Sequence, residues 1–132
     1  MYELCDSLLE IVDIDKQPHR KEKICELLMK NGWMRASTIK TMDIFKGSLI
    51  ATLREGVNVA YVIASKWEDH IHINYLVSSG GGIGTKLMFS FIDEMEMDIE
   101  LTIRKDNREF LTEYYGNLGF VPTNGLTMLL EY

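Results

Sequence analysis

Apolar residues recur at Leu4, Leu8, Leu9 and Val12, and this spacing predicts a helix over residues 2–12. A second helix is predicted over residues 20–33. There Ile24, Leu27 and Leu28 share a side with Cys25, and Gly32 suits the position just past a helix C-terminus. Residues 34–47 show no clear period and stay open between loop, a short helical turn and an edge strand. From residue 48 the pattern becomes strand-like. Residues 48–56 and 57–67 are rich in Val, Ile, Thr and Tyr, with a hairpin turn expected at Glu55-Gly56. After a second turn at residues 68–70 the chain alternates, with Ile71, Ile73, Tyr75 and Val77 expected on one face and His72, Asn74 and Leu76 on the other. Three strands joined by short turns predict an antiparallel meander.

A glycine-rich loop, Ser79-Gly80-Gly81-Gly82-Ile83-Gly84, follows the third strand. Beyond it Leu87, Met88, Phe91, Ile92 and Met95 stand at helical spacing, and Ile99, Leu101 and Ile103 alternate as in a strand. Asn107 is a good N-cap for a further helix. Asn124-Gly125 predicts a turn between two short final strands. The expected order is helix, helix, three strands, helix, strand, helix, two strands: an α/β domain with a mixed sheet.

The chain has 132 residues, enough to bury a core as one domain without disulfides or a structural metal. Its net charge of −6 argues against nucleic acid as a partner and favours a cationic one. Cys5 and Cys25 read as free thiols in a reducing compartment, with a disulfide between them as the alternative. The N-terminal stretch is acidic and unlike a signal peptide, and the longest apolar run is too short to cross a bilayer, so no membrane contact and a cytoplasmic location are expected. The histidines show no metal-ligand spacing, and no metal is expected.

Four glycines in five positions ask for a close visitor as well as a turn. A strand, a glycine loop and a helix start together make a phosphate site, because the first amides of the helix point outward and its dipole favours an anion. A P-loop is excluded, since Gly84 is followed by Thr85-Lys86 and not by Lys-Ser/Thr. A dinucleotide-binding fingerprint fails at its last glycine, where Thr85 or Leu87 stands.

The loop resembles the acyl-CoA loop of the GNAT superfamily of N-acetyltransferases, with Gly82 and Gly84 at the two small positions of its Gln/Arg-x-x-Gly-x-Gly/Ala signature. Ser79 stands where that family has Gln or Arg. Ile103-x-x-x-Asn107 and the run Tyr114-Tyr115-Gly116-Asn117-Leu118-Gly119-Phe120 resemble the family's later strand–Asn–helix and aromatic-Tyr…Gly-Phe segments. The resemblance covers residues 48–132. Before them it is topological, and the family's usual first strand has no counterpart in this pattern.

The resemblance implies a single GNAT-like domain over residues 1–132, with a mixed, mostly antiparallel sheet flanked by helices. It implies an N-acetyltransferase that uses acetyl-CoA as co-substrate and passes the acetyl group directly to a primary amine. The acceptor would be a protein lysine or N-terminus, or a small polyamine-like molecule. A non-catalytic acyl-CoA-binding or protein-interaction module is the alternative, and a homodimer stays open. Leu76, Val77, Gly80, Gly81, Gly82, Ile83, Gly84, Thr85 and Asn107 would hold the co-substrate. The proton donor would be Tyr115 if counted back from Gly119-Phe120, or Tyr114 if counted forward from Asn107. His72 is the candidate base, by its position near the expected amine entry and its titration range. Glu68, Asp69 and His70 stand close by in the turn.

Overall fold

The run Val59–Ala64 is apolar throughout, which a strand accommodates only when both of its faces are covered. In the computed structural model, which describes residues 7–13, 20–30, 48–80 and 82–132, that is how it is placed. The elements are β1 (Ser7–Asp13), α1 (Arg20–Lys30), β2 (Ser48–Glu55), β3 (Asn58–Lys66), β4 (His70–Ser78), α2 (Ile83–Met95), β5 (Asp98–Thr102), a 3-10 turn at Lys105–Asn107, α3 (Arg108–Gly116), β6 (Val121–Asn124) and β7 (Thr127–Leu130). The strands form one sheet in the order β1-β2-β3-β4-β5-β7-β6, antiparallel at every pair except β4–β5. Val62 and Ala64 join the core under α2, with Leu87, Met88 and Phe91 of that helix. Tyr61 and Ile63 join a second core under α1, with Ile24, Leu27 and Leu28. The alternation of β3 thus serves both faces.

The first element corrects the sequence reading. Residues 7–13 form a strand, not part of a helix, and pair antiparallel with β2 from Ser7↔Glu55 to Asp13↔Leu49. A short apolar run fits either period, and the choice falls to the open edge of β2, whose amides and carbonyls need partners. This strand supplies the opening element that the sequence pattern lacked. The three-strand meander stands as expected. The first and last hairpin turns lie one residue later than expected, with Glu55↔Asn58 closing around Gly56-Val57 and Asn124↔Thr127 around Gly125-Leu126, and the turn between β3 and β4 lies one residue earlier, at 67–69. Gly56 and Gly125 take φ of +61° and +59°, which suits glycine in such turns. Cys25 is a free thiol. Cys5, Gly32 and residues 34–47 lie outside the described residues.

β4 holds the second correction. Its register against β3 slips between Ile63↔Tyr75 and Ala64↔Ile73, so Asn74 has no partner in the ladder. One extra residue turns every later side chain to the other face. Ile71 and Ile73 pack under α2, whereas Tyr75 and Val77 pack under α1 and Leu76 returns to the α2 side. The Asn74 amide holds the bulge by donating to Ser65 Oγ at 3.0 Å.

The bulge lies beside the place where β4 and β5 part. Their parallel pairing runs from His70↔Asp98 to Ile73↔Leu101 and ends there. Beyond it, β4 continues along β3, and Ile103 N–H donates to Leu126 C=O at 2.9 Å, which holds the end of β5 on the β7 side. The two strands diverge into a wedge whose open end faces the glycine loop.

Candidate functional site

The wedge is a cleft of about 290 Å³. One wall is β4 at Leu76 and Ser78, and the other is the end of β5 at Thr102, Ile103 and Arg104. The start of α2 closes one end with Gly82, Gly84 and Thr85. Helix α3 and the turn before it cover the cleft with Asn107, Phe110, Leu111, Tyr114 and Tyr115.

The glycine loop opens into this cleft as a helix N-terminus. Gly82 is the N-cap with φ +72°, a left-handed conformation costly for other residues. No side chain caps the helix and its first turn has no acidic residue, while the first amides of any helix lack intrahelical acceptors. At Gly84 a Cβ would lie 3.5 Å from Ser78 Oγ, an ordinary contact, so the first turn of α2 rests against the end of β4 with room for a methyl group. Ser79 spends its hydroxyl on the strand behind it, accepting from Val59 N–H at 2.9 Å, so the side chain at the family's Gln/Arg position ties the loop to β3. Lys86 forms an ion pair with Glu55 at the β2–β3 hairpin (2.8 and 2.9 Å) and does not reach over the loop.

Across the cleft, Arg104 is the one charged side chain among the described lining residues, bonded to Asp106 Oδ2 at 3.1 Å. None of the described lining residues is a carboxylate, although the chain carries a net charge of −6. The first amides of a helix, its dipole and an arginine favour an anion. These residues fit the pyrophosphate of a coenzyme A ester, in a cleft lined by both polar and apolar side chains.

The two tyrosines differ sharply. Tyr114 points to the start of α2, where its hydroxyl shares a hydrogen bond of 2.8 Å with Thr85 Oγ1. Its ring stacks on Phe110, which is exposed at the rim. Tyr115 is buried, edge-on to Tyr114 at 5.0 Å and to Phe120 at 5.8 Å between ring centres. Burial, with a smaller contribution from the neighbouring Tyr114, pushes its phenol up to about 12. The chain after α3 makes this burial possible. Phe120 N–H returns to Tyr115 C=O at 3.0 Å, and Gly119, at φ +105°, turns the chain so that Phe120 packs under the ring.

The cleft brings together Leu76, Gly82, Gly84, Thr85, Asn107, Tyr114 and Tyr115 of the residues singled out in the sequence. Asn107 takes the N-cap position of α3, but its side chain makes no capping hydrogen bond. Val77 and Ile83 turn their side chains into the α1 and α2 cores respectively. Gly80, at φ +120°, is an exposed bend before the cleft, and Gly81 lies outside the described residues. His72 is not in the cleft. It faces a second pocket on the α1 side of the sheet, with its Nδ1 2.8 Å from Glu100 Oε1. His70 lines the same pocket and bonds Asp69 at 2.8 Å.

Sequence reasoning missed Ser78, Thr102, Arg104, Phe110 and Leu111. Arg104 left a usable signal, a cation just past an alternating strand and three residues before Asn107. Ser78 and Thr102 left none, since they line a site only because their strands part.

The seven-stranded sheet, its single parallel pair and the flanking helices make this a GNAT-like fold. It is similar to a solved structure of AtaTR bound with AcCoA, with 15% sequence identity, a TM-score of 0.50, and coverage of 96% of this chain and 94% of that one. No protein-family model and no curated protein matches the sequence. Among the described residues no helix is long and apolar enough to cross a membrane.

Proposed function

We propose that the protein is an N-acetyltransferase that takes the acetyl group of acetyl-CoA to a primary amine: a protein lysine or N-terminus, or a small polyamine-like acceptor. One observation carries the reading. The uncapped start of α2 and Tyr115 line the same cleft between two diverging strands. The likeness of the fold to AtaTR, solved bound with AcCoA, supports it.

Acetyl-CoA supplies an activated acetyl carbon and a thiolate leaving group. The amides of Gly82, Gly84 and Thr85, with Arg104, would hold the pyrophosphate by charge and hydrogen bonds. The walls would orient the ester, which can lower a barrier by several kcal/mol without a covalent intermediate. Tyr115 is the better donor of the two tyrosines. Its phenol stays protonated across the physiological range, so the proton is there to give, and its burial makes it a weaker acid than an exposed tyrosine. The Tyr114 hydroxyl is engaged by Thr85 and holds α3 over the start of α2.

A second reading, an acyl-CoA-binding module without turnover, is favoured by one feature: among the described residues no histidine or carboxylate lines the cleft to deprotonate an amine. One experiment separates the two. Acetyl-CoA is titrated by calorimetry into wild type and Gly82→Val, and the bound protein is then assayed against protein lysines and polyamines with Tyr115→Phe as control. Binding lost in the folded Gly82→Val variant, with turnover reduced at least tenfold in Tyr115→Phe, supports transfer. Binding without turnover on any amine leaves the module, and no binding by folded wild type refutes both.

A further inference from the structure

The pocket on the α1 face has the opposite character to the cleft. Its volume is about 370 Å³, and Glu100 and His72 line it together with Trp67, His70 and Asn74. His72 and Glu100 are register partners across the parallel pair, one rung before the last rung at Ile73↔Leu101. Their sequence neighbours Ile71, Ile73, Ile99 and Leu101 all pack under α2, so both polar side chains face the other way. They therefore sit at the vertex of the wedge. Asn74, the bulge residue, lines this pocket, while Leu76, two residues on, lines the cleft.

We propose that Glu100 is a positioning residue for His72, and that the pair receives a primary ammonium group on the α1 face and removes its proton. This rests on the transfer reading above. A carboxylate only accepts hydrogen bonds, so in the neutral form of His72 the 2.8 Å contact puts the hydrogen on Nδ1 and the lone pair on Nε2. One proton passes from the ammonium nitrogen to Nε2. The nitrogen keeps the electron pair and bonds with it to the acetyl carbon; the C–S bond of acetyl-CoA breaks, its electron pair leaves on sulfur, which takes the Tyr115 proton, and the nitrogen releases its second proton to water.

The surroundings select for a cation. Glu100 lines the pocket, and Asp69 stands beside it on His70, whereas the described residues that line the cleft on the other face include an arginine and no acid. Trp67, 59% exposed, stacks on His70 at 6.2 Å and gives the mouth an aromatic wall that suits an ammonium group. The protein thereby keeps its anionic and cationic ligands on opposite faces of one sheet, and the parting strands are where they meet.

The test uses full-length protein and three substitutions, His72→Gln, Glu100→Leu and Glu100→Gln, with kcat and KM measured on the amine found active and acetyl-CoA affinity measured by calorimetry. Imidazole nitrogen NMR reads the His72 tautomer. Glu100→Leu should lower kcat at least tenfold, leave acetyl-CoA affinity within twofold, and add nothing to the loss already caused by His72→Gln. Glu100→Gln, whose amide oxygen can still accept from Nδ1, should retain the Nδ1–H tautomer and recover part of the rate. Losses that add in the double variant, or turnover indifferent to His72→Gln, overturn this inference and leave the transfer reading standing. A wild type that binds acetyl-CoA but acetylates no amine ends the transfer reading, and this inference with it.

Discussion

Replacing Tyr115 with Phe should flatten the alkaline loss of stability. In the folded protein the phenol is pushed up to about 12, against an ordinary value of 10.0. Below pH 10 the phenol is protonated in both states and the raised value has no effect. Between 10 and 12 the unfolded chain releases a proton that the folded protein keeps. The folded state then binds more protons, and stability falls as pH rises. Two units at 1.36 kcal/mol each give a loss of about 2.7 kcal/mol once both states are ionised, and about 1.4 kcal/mol at pH 11. The other tyrosines titrate as well, so the difference between wild type and Tyr115→Phe isolates this group. Urea denaturation at pH 8, 9.5 and 11 reads it: wild type should lose about 1.4 kcal/mol more than the variant between the first and last of these. Parallel losses in the two proteins would mean that the phenol is not held in a dry site, and would refute the account of its burial.

Two backbone predictions test the frame around the site. Gly119→Ala forces a side chain into φ +105° and places its Cβ 3.0 Å from Leu130 Cδ1, so it should cost about 2 kcal/mol in thermal or urea unfolding and loosen the Phe120 anchor under Tyr115. An unchanged midpoint would refute that account of the turn. Glu96 ends α2 at φ +50°, left-handed without being glycine, so Glu96→Gly should stabilise the protein by up to about 1 kcal/mol with acetyl-CoA affinity unchanged. Destabilisation on urea titration would show that the Glu96 side chain contributes more than its backbone costs.

Local pattern was enough for much of this protein. The spacing of Leu87, Met88 and Phe91 made α2, the all-apolar Val59–Ala64 made a doubly covered strand, and a glycine run between strand and helix marked one end of a site. Tyr114, Tyr115 and Phe120 were legible as a unit because a helix and a tight turn place them close whatever surrounds them. What sequence could not decide was set by pairing between distant segments. Residues 7–13 become a strand because β2 offers an edge, although their apolar spacing fits a helix. The alternation along β4 breaks at Asn74 because β3 holds a register one residue out of step, and this reverses the face of Tyr75 and Val77. His72 stands in a different pocket from the tyrosines because the sheet lies between them, and strand alternation cannot say which helix covers which face. The cleft itself belongs to no segment. It exists because β4 follows β3 while the end of β5 follows β7, and the hydrogen bonds that pull the two apart join residues far apart along the chain.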